Sequence, residues 1–190
     1  MQKKSIIIAL FIFIAVLFLL TIGNGFVGYS IYDQQYTELQ HYPYPFIKNN
    51  NYNSLYIVIP QYSTLTEKQS AQKIAKSLQL TKPIAPKIVK PSELPQGNYN
   101  LILIGDACTN DLIKSFLNQD GCTLGLKKEQ GLIKLLSGKK SILIISGYDL
   151  KSLDNAASVL ANYGSFPLTG TDVIVQGNSD NIYSLSLIEN

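Results

Sequence analysis

Apolar residues fall along this chain in two alternating patterns. Continuous runs occur at Leu55-Tyr56-Ile57-Val58-Ile59, Leu101-Ile102-Leu103-Ile104 and Ile142-Leu143-Ile144-Ile145. Short runs of this kind, rich in β-branched residues, predict strands buried on both faces. Two of them lead through a turn into residues of helical period. After the first, Thr64-Leu65-Thr66-Glu67 fits the capping box, in which hydroxyl and carboxylate satisfy two orphan N–H groups. The helix is expected to reach about Leu80, with Leu65, Ala71, Ile74, Ala75 and Leu78 inward. After the third run, Ser146-Gly147-Tyr148 turns and Asp149 stands at the N-cap. Leu153, Ala156, Ala157, Leu160 and Ala161 then form one apolar face, and Gly164 and Pro167 end the helix.

The other elements are shorter. Ile84 to Val89, broken by Pro86, reads as an edge strand. Asn110 to Leu117 reads as a helix after the second core strand. Gly131 to Leu136 steps hairpin-like into the third run, Thr171 to Gln176 completes a βαβ crossover, and Ile182 to Leu187 is the last strand. This alternation predicts an α/β fold: a three-layer sandwich with a mainly parallel central sheet and a mixed edge. The units Leu55–Leu80 and Ser141–Tyr163 also form a weak internal repeat: strand, Tyr-containing turn, cap, and a helix with small residues that allow close approach to the sheet.

The N-terminus has a different pattern. Lys3 and Lys4 precede an almost wholly apolar stretch, Ser5 to Leu20, which continues to Tyr29. That is long enough to cross a hydrocarbon core of about 30 Å at about 1.5 Å per residue. No A-x-A-like exit follows, so the segment reads as an uncleaved signal anchor. The next Lys is Lys48, which predicts a cytoplasmic N-terminus and an extracytoplasmic remainder. Residues 30–54 hold many Tyr, with Pro43, Pro45 and Asn49-Asn50-Asn51, and read as a stalk whose aromatics can pack on the domain's flank. The expected organisation is therefore 1–29 transmembrane anchor, 30–54 stalk and 55–190 extracytoplasmic α/β domain.

Charge narrows the function little. The net charge is +3, every one of the cationic residues is Lys, and the lysines are scattered. Nucleic-acid binding would need a basic stripe with Arg forks or interleaved aromatics, and neither is present. The one histidine, His41, lies in the stalk, and a lone His in such a segment is a poor metal ligand and a poor base. Ser70-Ala71-Gln72-Lys73 and Ser137-Gly138-Lys139-Lys140 match S-x-x-K, and Ser179-Asp180-Asn181 matches S-D-N, but the K-T-G that completes that catalytic set is absent. No catalytic residue is assigned, and the chain is read as non-enzymatic.

Two features remain. Cys108 and Cys122 are the only cysteines, and in an oxidising compartment they are expected to form a disulfide. A metal pair would need further Cys or His. Asp106, Asn110, Asp111 and Asp120 surround the turn after the second core strand, where α/β folds bind ligands. Their oxygens are candidates for a Ca²⁺ site, although turn formation and capping use the same residue types. No other cofactor or metal is implied.

Three segments together resemble a domain of archaeal S-layer and related cell-surface proteins. They are Leu55 to Leu80; Leu103 to Asn110, against a G-G-P-C-x-N-like turn; and Ile144 to Tyr163, against V-A-G-Y-x-x-x-D-T-x-x-A-A-x-V-L-A-N-Y. In the third, Gly147, Tyr148, Ala156, Ala157, Val159, Leu160, Ala161, Asn162 and Tyr163 are in place. Asp106 and Ala107 depart from the pattern's Gly and Pro, and Ser152 and Leu153 from its Asp-Thr pair. The resemblance implies a structural or interaction module of the archaeal envelope, with S-layer proteins, other envelope proteins or a second copy as partners. The alternative is a cell-wall or polysaccharide-binding module.

Overall fold

The computed structural model describes residues 37–48, 51–52, 54–79, 86–118, 121–177 and 183–187. The compact unit is Thr37–Asn190. The expected anchor at 1–29 lies outside the described residues, and among those described no helix is long and apolar enough to cross a membrane. Among the described residues there are nine strands: β1 (Ile47–Lys48), β2 (Asn51–Tyr52), β3 (Leu55–Val58), β4 (Lys87–Val89), β5 (Asn100–Ile104), β6 (Gln130–Leu136), β7 (Ile142–Gly147), β8 (Asp172–Gly177) and β9 (Tyr183–Leu187). The α-helices among the described residues are α1 (Leu65–Ser77), α2 (Asp111–Leu117) and α3 (Leu150–Ala161). The fold is α/β.

Seven strands form the main sheet in the order β4-β3-β5-β7-β6-β8-β9. The pairs β3–β4, β3–β5 and β5–β7 are parallel, while β6–β7, β6–β8 and β8–β9 are antiparallel. Five strands thus point one way, but the antiparallel share is wider than the mixed edge expected. The cause is the short link from Leu136 to Ile142, which cannot make a crossover and so folds β6 back against β7. The β7–α3–β8 crossover forms as expected, with β6 lying between its two parallel strands. As expected, β4 is an edge strand.

Alternation along β5 shows how the two faces separate. Ile102 and Ile104 join one core cluster with Ile74 of α1 and Val159 and Leu160 of α3. Leu101 and Leu103 join a second cluster with Ile113 of α2. Both helix starts are capped as the sequence predicts. Glu67 N donates to Thr64 Oγ1 (3.2 Å) and Thr64 N donates to Glu67 Oε2 (2.7 Å). Ser152 N donates to Asp149 Oδ1 (2.8 Å). The hydrogen bonds to Asp149 from Ser152, its backbone N–H first, hold its carboxyl below the usual carboxylate range.

Two expectations are corrected. The domain begins at Thr37, not at residue 55. Leu39, Tyr42 and Phe46 are buried in the first core cluster, so much of the expected stalk is part of the domain. Leu39 N donates to Gly170 O (2.7 Å), and Tyr42 meets Tyr163 edge to face. Leu65 does not face inward but is 70% exposed. Glu67, Ala71, Ile74 and Leu78 occupy the buried face, and position 65 lies about 200° around the helix from 67.

Candidate functional site

In the turn after β5, Asp106 and Asn110 both use a side-chain oxygen to accept from backbone N–H groups. Asp106 Oδ1 accepts from Cys108 N (2.7 Å) and Thr109 N (2.8 Å), closing a side-chain turn. Asn110 is fully buried and caps α2 through Oδ1, which accepts from Leu112 N (3.2 Å). Its Nδ2 donates to Ile104 O (3.0 Å) and Val58 O (3.4 Å), tying together the ends of β5 and β3. Asp111 is exposed in the first turn of α2. Asp120 lies outside the described residues. Among the described residues no group of three or more His, Cys, Asp or Glu could hold a metal ion.

The crevice between the ends of β3 and β5 is where the connections diverge, the usual place for a ligand in such sheets. Here it is filled. Gly105, at φ +124, backs onto Pro60 so closely that an added Cβ would lie 2.9 Å from Pro60 Cγ and 3.4 Å from Glu67 Oε1. Glu67 is buried, but its Oε2 is taken up by Thr64. Ser70 and Lys73, which matched S-x-x-K, both bind Asp154 Oδ1 (2.9 and 2.7 Å) and so staple α1 to α3. The expected disulfide Cys108–Cys122 is present, with Cα atoms 5.0 Å apart. It ties the segment after α2 to the turn that carries Asp106.

The same end of the sheet carries a different feature, a rim of apolar side chains. The large hydrophobic residues exposed among those described are Tyr62 (93%), Leu65 (70%), Tyr148 (45%) and Leu150 (42%). They flank the caps of two helices: Tyr62 and Leu65 lie about Thr64, Tyr148 and Leu150 about Asp149. Because α1 and α3 pack against each other, as the Lys73–Asp154 bond requires, both helix starts share the edge where β3 and β7 end. At the opposite edge, just before β7 begins, Ser137 Oγ donates to Thr37 O (3.3 Å). The sequence held the signal in its repeat, a Tyr in the turn and a Leu at the first helical position of each unit. Periodicity assigned Leu65 to the core and gave Tyr148 and Leu150 no role.

A search against protein-family models and a search of curated proteins both find no match to this chain.

Proposed function

We propose that this chain is a membrane-anchored, non-catalytic interaction module of the cell envelope, and that the rim of Tyr62, Leu65, Tyr148 and Leu150 is its contact surface. The rim carries this reading. Exposed apolar patches on a folded domain mark interaction sites, and these four residues lie at one end of the sheet. Each of the four sits beside a satisfied helix cap, so folding has no evident use for its exposure. The Ser5–Tyr29 stretch behind Lys3 and Lys4 supports a single-pass anchor with a cytoplasmic N-terminus. The Cys108–Cys122 bridge supports an oxidising, extracytoplasmic location. The resemblance to archaeal S-layer domains supports partners among S-layer or other envelope proteins, or a second copy of the chain.

The test is light scattering on the purified full chain, alone and after co-extraction with its envelope. The variant Tyr62→Ser, Leu65→Ser, Tyr148→Ser, Leu150→Ser is compared with wild type. Loss of self-association or of co-purifying envelope protein, at unchanged melting temperature, supports the reading. Unchanged association opposes it. A polysaccharide-binding role is the second reading, favoured by the aromatic-lined cavity at Tyr42, Tyr163 and Phe166.

A further inference from the structure

The chain enters β6 through residues 121–128, and that segment is held unevenly. Its backbone bonds are local: Leu124 N donates to Gly121 O (3.3 Å) and Leu126 N to Thr123 O (2.9 Å). Bonds to the sheet start only at its far end. There Lys127 N donates to Gln130 Oε1 (2.8 Å), and Glu129 O accepts from Gly177 N (3.3 Å). Ahead of that end, two things fix the segment among the described residues. One is the Cys108–Cys122 bridge. The other is apolar packing, in which Leu124 and Leu126 cover Leu132 of β6 and Ile174 of β8.

The two sides of the bridge differ. Cys108 belongs to the turn that Asp106 Oδ1 closes by accepting from Cys108 N and Thr109 N, and those bonds do not depend on the sulfurs. Cys122 makes no hydrogen bond among the described residues. Its neighbour Leu124 is held left-handed at φ +53, a conformation that a leucine side chain disfavours. Both cysteines are exposed, so a dissolved thiol can reach the bond.

We propose that the bridge is a redox latch. Oxidised, it keeps 121–128 closed over Leu132 and Ile174; reduced, it lets that segment open as a unit on a sheet that stays folded. In reduction, one thiolate of a small dithiol attacks a bridge sulfur and the S–S bond breaks. The other cysteine leaves as a thiolate and takes up a proton. The second thiolate of the dithiol then displaces the first cysteine, which is protonated in turn. The protein gains two electrons and two protons, and the dithiol becomes a disulfide. A small-molecule disulfide reverses both steps. The latch goes beyond the contact role of the rim and does not rest on it.

The test is amide hydrogen exchange on the full chain in detergent, oxidised and after dithiothreitol, at several low urea concentrations. Each backbone residue that regains its freedom favours the open form by roughly fivefold or more. The amides of Leu124 and Leu126 are therefore expected to exchange roughly tenfold faster or more after reduction. Their rates should hardly change with urea, because local opening exposes little surface. The amides of β5 and β7 should exchange through global unfolding, with rates that rise with urea. Oxidised glutathione should restore the slow exchange. Exchange at 124 and 126 that rises with urea in step with β5 and β7 overturns the proposal, since the bridge then guards only the whole domain. Unchanged exchange at 124 and 126 on reduction also overturns it, as does exchange that oxidised glutathione fails to slow.

Discussion

Gly131 lies directly beneath Ser152. A Cβ built on the glycine would strike the Ser152 carbonyl oxygen and come within 2.8 Å of Ala156 Cβ. Its register partner on β7, Gly147, is similarly placed, with an added Cβ falling on Leu153 N and 2.7 Å from Ser152 C. The two strands therefore present bare backbone where α3 begins, and the helix settles onto the sheet there. Gly131→Ala is expected to cost about 2–3 kcal/mol through displacement of α3. Gly138→Ala, whose nearest obstacle is 3.7 Å away, is expected to cost little. Urea denaturation of the two variants checks the difference.

Two ion pairs should differ in weight. Lys73–Asp154 is more than a third exposed on both sides, so Lys73→Met should cost under about 1 kcal/mol. Lys134–Asp172 joins β6 to β8, with the Asp172 side chain 4% exposed. Lys134→Met leaves that carboxylate buried without its cation and should cost about 3 kcal/mol. Chemical denaturation of both variants at one ionic strength gives the comparison.

The disulfide spans 14 residues. Replacing Cys108 and Cys122 with Ser should cost about 3 kcal/mol, the loop entropy restored to the unfolded chain. A reductant should lower the wild-type denaturation midpoint to that of the double variant and leave the variant unmoved. Equal midpoints for oxidised and reduced wild type would exclude this contribution.

Asp149 gives a pH signature. Its folded pKa is depressed, chiefly by the hydrogen bond from Ser152 N. Its contribution is therefore fully present above the unfolded value, about 4, and is lost as pH falls through the lower folded value. Asp149→Asn should flatten the acid limb of the stability curve in that window while leaving the shape above about pH 5 unchanged. An acid titration of melting temperature for both proteins checks the sign.

How far the sequence reaches depends on how local the cause is. The caps at Thr64 and Asp149 were legible because each hydrogen bond joins residues three apart. The β6–β7 hairpin was legible because a five-residue link allows nothing else. Leu39, Tyr42 and Phe46 read as stalk because their burial depends on Tyr163 and other distant residues, and no local period marks it. Leu65 was misplaced because an apolar type outweighed its helical position, while the inward site two residues on was held by Glu67. At the turn after β5, Asp106 and Asn110 were rightly located, but their types could not distinguish a ligand from a cap. The hydrogen bonds that their Oδ1 atoms accept from Thr109 N and Leu112 N appear only in the folded backbone.

The most direct test of the account is photo-crosslinking in intact cells. A benzophenone amino acid is placed at Tyr62 or Tyr148 on the rim, and at Ser115 or Lys139, which are exposed away from it. The account predicts that positions 62 and 148 capture the same envelope protein, and that 115 and 139 do not. Equal capture from all four positions, or none from 62 and 148, would contradict the rim as the working surface of this protein.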